Sequence, residues 1–307
     1  LYLEKSFAAP FGKTYEWTRL LTRTFRLAED TYVSASQSVD LAEVTPDYSA
    51  LYFIENLVPE GQPTILFGPG GAGKTSVIMD VICGILYDAL WMGRAGVSAA
   101  VLYLDYESGL QSVTRRYWRA LQGRGRTPIA GVFNYFAARG RPLVNMIPAL
   151  KAELKRTGAD VLIVDSIGPA LGGRAEDSET ALAFFRALQS LKITTILLAH
   201  SNRMNNQDTK YMPFGSMFFH AEARATIYIE ATGRRHDSND LRYIDLVLYP
   251  RKMNDDALPK SIPLTIEFTG ATGAVRVMDG QNTTAGIAAG EPSSQEEAVA
   301  AALDDGA

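Results

Sequence analysis

The chain has little to build a metal centre or a covalent brace from. Among 307 residues, Cys83 is the single cysteine, and only His200, His220 and His236 are histidines. One cysteine excludes an internal disulfide and fits a reducing compartment, so a cytoplasmic setting is expected. Three scattered histidines and one cysteine give no zinc-like ligand spacing. No apolar run reaches the roughly 18 residues that suggest a membrane-spanning helix. The first residues carry no apolar stretch of the secretory kind. The chain opens on Leu1 rather than Met, as a piece of a longer protein would.

Strong net charge is missing too. The formal charge is −4, but the segment from Gln281 onward holds five acidic residues (Glu291, Glu296, Glu297, Asp304, Asp305) and no Lys or Arg. The rest of the chain sits near +1. A body this balanced is not a strongly basic nucleic-acid binder, so any such contact falls to local loops. Hydrophobic residues make up 47%, enough for a sizeable core.

Three regions follow from composition. Residues 1–47 read as an N-terminal arm or linker, with one short helix near Tyr15–Arg26. Residues 48–280 read as one α/β domain, and residues 281–307 as a disordered acidic Ala/Gly-rich tail. In the domain, "PTILFG", "AAVLYLD", "GVFNYFA", "DVLIVD" and "ITTILLA" are short apolar runs with few polar breaks. Such runs suit parallel strands buried on both faces. Helical patterns separate them: Lys74–Leu86, Leu110–Leu121, Ile147–Thr157 and Ser178–Leu191. Strand then helix, repeated, predicts a mainly parallel sheet flanked by helices. After Ala223, "ATIYIEA", "RYIDLVLYP", "SIPLTIEFT" and "AVRVMD" predict antiparallel strands added at one edge.

The sharpest motif is Gly68-Pro69-Gly70-Gly71-Ala72-Gly73-Lys74-Thr75, followed by Ser76. It fits the phosphate-loop pattern at every specified position and lies between a strand and a helix. Glycines let backbone N–H groups fold around phosphate oxygens, and the helix start adds partial positive charge. Lys74 reaches the β- and γ-phosphates, and the Thr75 hydroxyl ligates Mg²⁺. ATP and Mg²⁺ are therefore the expected ligands.

Three later strand tips carry polar residues. Asp165 closes "DVLIVD" and is the expected second Mg²⁺ ligand, the alternative being a helix cap. In "VLYLDYESG", alternation puts Asp105 and Glu107 on one side. Glu107 lies nearer the mouth of the strand and is the candidate base for water, the alternative being a cap on the helix near Leu110. Asp105 reads as a supporting residue. His200 ends "ILLAH" and is placed to sense the γ-phosphate.

The ordered set resembles the RecA-like P-loop ATPases, most closely the plasmid RepA-type hexameric helicase branch. "LYFIENLVPEGQPTILFGPGGAGKTS", "LWMGRAGVSAAVLYLDYES", "RRYWRAL", "DVLIVDSIGPALGGRAEDSETALAFFRALQSL", "ILLAHSNR", "FGSMFFHAEAR" and "LYPRKMND" carry the likeness, over roughly residues 50–270. The resemblance implies a ring or filament, here a homo-hexamer, from a bacterial, phage or plasmid setting, with a primase or other replication protein as partner. It implies a cation reaching the neighbouring subunit's ATP from Arg251-Lys252-Met253-Asn254. The family pattern favours Lys252, fork geometry favours Arg251, and Arg224 is a further candidate. It also implies single-stranded DNA contact by the loop after His200, through Arg203 and Lys210. The expected function is a DNA-stimulated ATPase and replicative helicase. A recombination ATPase or a regulatory ATP-binding module stands as the alternative. A small-molecule kinase is disfavoured, because the chain continues as strands where an Arg-rich lid is usual.

Overall fold

The computed structural model describes residues 38, 40–45, 52–88, 90–201, 213, 217–238, 240–254 and 257–281. The chain divides into two compact units, Leu1–Ser49 and Ala50–Ala307. The first contributes one 3-10 turn, Leu41–Glu43, whose start is capped by the Asp40 carboxylate accepting from the Ala42 N–H at 3.0 Å. The predicted helix near Tyr15–Arg26, the loop holding Arg203 and Lys210, the Gly215-Ser216 pair and the tail from residue 282 lie outside the described residues.

The second unit opens with a small pair, β1 (Tyr52–Ile54) and β2 (Val58–Pro59), before β3 (Pro63–Gly68) and α1 (Lys74–Asp88). Next come β4 (Leu90–Trp91), β5 (Arg94–Ala95), β6 (Ala100–Asp105), α2 (Leu110–Gly123) and β7 (Phe133–Ala137). Then follow α3 (Ile147–Thr157), β8 (Ala159–Asp165), α4 (Ile167–Ala170), α5 (Ser178–Gln189), β9 (Thr194–His200) and α6 (Phe218–Glu222). The chain finishes its fold with β10 (Ala225–Ser238), β11 (Leu241–Met253), β12 (Ile262–Thr269) and β13 (Val275–Asp279).

Nine of these strands form one sheet, in the order β13-β12-β11-β10-β3-β9-β8-β6-β7. From β10 to β7 every pairing is parallel, and from β10 to β13 every pairing is antiparallel. The expected edge addition is corrected in one respect. β10 itself joins parallel to β3, and the antiparallel run starts only at β11. β10 also runs past the predicted "ATIYIEA" to Ser238, because it keeps pairing with β11 beyond the core.

Alternation along the strands divides the core. Leu66 faces α1 and α2, together with Val77, Tyr117, Leu246 and Ile266. Ile65 and Phe67 face the side of α3 to α6, with Leu150, Ile167, Phe184 and Phe219. Both faces are covered, which is why β3 is buried along its whole length and reads as an unbroken apolar run. Between the covered faces, the ends of the parallel strands form an open edge where loops gather.

Candidate active site

The phosphate loop joins the end of β3 to the start of α1, so Lys74 and Thr75 occupy the first helical turn. Two of its glycines are required by packing. A Cβ on Gly68 would stand 2.3 Å from the Ile229 carbonyl oxygen of β10. Gly73 has φ +92°, and a Cβ there would meet Ile266 Cδ1 at 2.8 Å. The antiparallel strands thus seat the loop from one side.

The Lys74 ammonium folds back over the loop and donates to the carbonyl oxygens of Gly68 and Pro69, both at 2.8 Å. Burial lowers its pKa, while the charges of Asp165 and Glu107 act to raise it. The three side chains thus share one electrostatic environment. They come from α1, β8 and the loop after β6.

Asp165 ends β8, next to β6, with Asp105 as its register partner. It is 5% exposed, and its Oδ2 accepts a hydrogen bond from the Tyr103 hydroxyl of β6. Burial pushes the Asp165 carboxyl above the usual range; the Tyr103 bond opposes that rise and the Glu107 charge adds to it. Burial also raises Tyr103 itself, keeping the phenol a donor. Asp165 does not cap a helix: Ser166 takes the cap position of α4.

Glu107 lies beyond the end of β6. Its Oε1 accepts from the Ser166 hydroxyl, and its backbone carbonyl accepts from Arg139. It makes no cap on α2, where Gly109 is the cap residue without a side-chain bond. Strand alternation does not set its direction, which corrects the sequence reading. β6 stops at Asp105, and the Asp105 carboxylate gathers the N–H groups of Glu107, Ser108 and Gly109 at 3.1, 2.9 and 2.6 Å. The Tyr135 hydroxyl adds a fourth bond at 3.0 Å. Burial works against ionisation of Asp105, yet these donors win and hold its carboxyl below the usual range. Asp105 is the residue that shapes the Glu107 loop.

His200 ends β9 opposite Gly68 in the register and is exposed, at the same edge as the phosphate loop. Arg251 and Lys252 are elsewhere. Thr226 pairs with Lys252 and Ala225 with Thr64, so both cations lie where the parallel strands start. Gly68 is four residues further along β3, roughly 13 Å at the usual strand rise. The Lys252 ammonium donates to the carbonyls of His220 and Ala221 at the end of α6, at 2.8 and 2.7 Å. Arg251 stacks over the Tyr249 ring at 5.4 Å. These cations are not part of their own chain's phosphate site.

The residues fit a magnesium nucleotide. The loop offers a backbone cradle with an ammonium already aimed along it, and Thr75 and Asp165 are hard oxygen donors of the kind Mg²⁺ takes. Among the described residues no cluster of three or more His, Cys, Asp or Glu forms a cation cage. A cation held by Thr75 and Asp165 would need further ligands from phosphate and water, as Mg²⁺ commonly takes. Sequence reasoning missed Tyr103, Ser166 and Tyr135. A tyrosine inside a wholly apolar strand was the available signal, since a buried phenol needs an acceptor.

The sequence profile of the AAA domain family matches residues 29–206, more than half of the chain. No curated protein matches the chain. Among solved structures, the KaiC-like protein of the hyperthermophilic archaeon Pyrococcus horikoshii OT3 is similar to it. That match has 16% identity and a TM-score of 0.48, covering 76% of this chain and 99% of that one.

Proposed function

The chain belongs to the AAA domain family of P-loop ATPases, and from that premise we propose an ATP hydrolase that works as a ring-forming motor on single-stranded DNA. The observation that carries the hydrolytic part is one edge of strand ends: Lys74 bonds to Gly68 at the end of β3, and Glu107 bonds to Ser166, the residue after Asp165 at the end of β8. Residues Gly68–Ser76 bind the phosphates. Lys74 exchanges the carbonyls of Gly68 and Pro69 for phosphate oxygens. Thr75 and Asp165 would hold Mg²⁺, which would supply charge neutralisation at those oxygens. Glu107, steadied by Ser166, orients the attacking water and takes its proton. His200, level with Gly68, touches the outer phosphate side and relays its state to the loop that follows.

Arg251 and Lys252 complete the site of a second copy. A cation delivered from outside stabilises charge in the transition state and ties turnover to assembly. The DNA part rests on the sequence resemblance, with Arg203 and Lys210 as the contacts. ATP turnover with and without oligo-dT, measured beside the particle mass by light scattering, tests the reading. DNA-stimulated turnover in a hexamer is the expected result. A monomer whose turnover ignores DNA overturns the motor and leaves a regulatory ATP-binding module.

A further inference from the structure

In a chain of net charge −4, residues 108–152 hold seven arginines, one lysine and no Asp or Glu. Several of these cations are committed within the fold. Arg124 forks onto the buried Asp80 carboxylate at 2.9 Å, Arg116 donates to Ser108 Oγ at 2.7 Å, and Arg139 and Arg141 donate to backbone carbonyls. Arg115 and Arg119 are different. Both are exposed on α2, and neither has an ion pair or hydrogen bond among the described residues. One helical turn separates them, and Trp118 lies on the same face. Trp118 is 50% exposed, a large apolar residue left in water on a helical face that also carries Arg115 and Arg119.

The face leads into an open cavity of about 600 Å³ between α2 and the turns of β11, β12 and β13. Arg119, Arg242 and Phe268 line it. The lining Asp240 carboxylate is directed into its own turn, accepting from the Ala271 N–H at 2.7 Å. The volume falls in the range of small-ligand pockets. Cations one turn apart suit successive phosphates, and an exposed indole beside them suits a base face.

We infer that the outer face of α2, with the adjoining cavity, binds single-stranded nucleic acid. Arg115 and Arg119 hold the phosphates, Trp118 stacks on a base, and the strand enters the cavity past Arg242 and Phe268. The site is apart from the loop after His200 and needs no nucleotide. It also has a path to the hydrolytic edge: Arg116, on the same helix, holds Ser108, the residue after Glu107.

The full chain, without ATP, is titrated with fluorescein-labelled oligo-dT, following anisotropy and tryptophan emission. Binding with quenched emission is expected. Trp118→Phe abolishes the quench and weakens binding about tenfold. Arg115→Glu with Arg119→Glu weakens it more than tenfold and flattens its salt dependence. All three side chains are exposed, so circular dichroism and Tm stay unchanged. Affinity that depends on Arg203 and Lys210 but not on Arg115 and Arg119 overturns the site, and so does equal affinity for inorganic polyphosphate. Trp118 emission that follows protein concentration but not oligonucleotide also overturns it and makes the face a contact between copies. Loss of ATP turnover alone leaves the site standing, because binding is read without nucleotide.

Discussion

The parallel strands have two edges with opposite chemistry. Where β3, β6, β8 and β9 end, the charges of Glu107 and Asp165 act on one ammonium, Lys74, and Asp105 lies beside Asp165 in the register. Where the same strands start, Arg224, Arg251 and Lys252 gather around α6, with backbone carbonyls as partners of Lys252. One edge holds surplus carboxylate; the other holds more cations than acids, with Glu222 acting on Lys252. Within one chain they lie at opposite ends of the parallel strands, so neither completes the other. The difference teaches why the proposed function joins two copies: the acids of one edge and the cations of the other cannot meet within one chain.

A third region sets the contrast. The buried Asp80 carboxylate on α1 is satisfied from three directions, by both arms of Arg124 and by the Trp91 indole at 3.0 Å. A carboxylate so enclosed has no capacity left for a ligand and acts as a brace between α1 and α2. Asp165 is buried too, 5% exposed against 1% for Asp80, yet the Tyr103 hydroxyl is the side chain bonded to it among the described residues. Burial alone does not mark a functional acid; burial with unused acceptor capacity does.

The comparison of the two edges is broken most directly by removing the cations. Arg251→Ala with Lys252→Ala is expected to lower ATP turnover about 10³-fold, while nucleotide affinity stays near wild type. Mixing this variant with Glu107→Gln restores turnover, because each supplies the half the other lacks. A mixture as inactive as its parts places the two edges in separate functions. Glu107→Gln alone is expected to cost about 10²-fold or more in turnover, with nucleotide still bound in an equilibrium assay. Retained turnover removes Glu107 from the water-activating role.

The smallest effect sharpens the cationic edge. Burial holds the His220 imidazole below its ordinary pKa, and the Lys252 charge adds to the shift. A depressed folded-state pKa contributes stability above the unfolded value, near 6.5, and loses it as pH falls through the folded value. His220→Gln is expected to flatten the fall in Tm between about pH 7 and pH 5. The contribution is under about 1 kcal/mol after allowing for solvent screening at this half-buried site. An unchanged pH slope assigns the acid sensitivity to other groups.

Much of this architecture was legible in the chain. Five of the six mutually parallel strands read as apolar runs, and in β3, β6, β8 and β9 burial on both faces removes the polar alternation. The phosphate loop is legible because its glycines answer local backbone and packing demands. The partners of Asp165 and Glu107 were not legible. Tyr103 meets Asp165 across a strand pairing, and Ser166 meets Glu107 across the same gap, contacts fixed by register between segments some 60 residues apart. Asp105 was read as support, but its hold on three successive N–H groups depends on the strand stopping there, which no alternation pattern reports.

By itself, then, the sequence determined the loop that grips phosphate, the strands that carry acids at their tips and the helix that begins at Lys74. These rest on periodicity and on backbone preferences, which act within a few residues. Only the tertiary structure decided that Lys74, Glu107 and Asp165 share one edge, that Asp80 is bonded by Arg124 and Trp91 while Asp165 takes the Tyr103 hydroxyl, and that Arg251 and Lys252 fall on the far edge. Those outcomes depend on strand order and register, set by burial of the whole sheet between two helical layers.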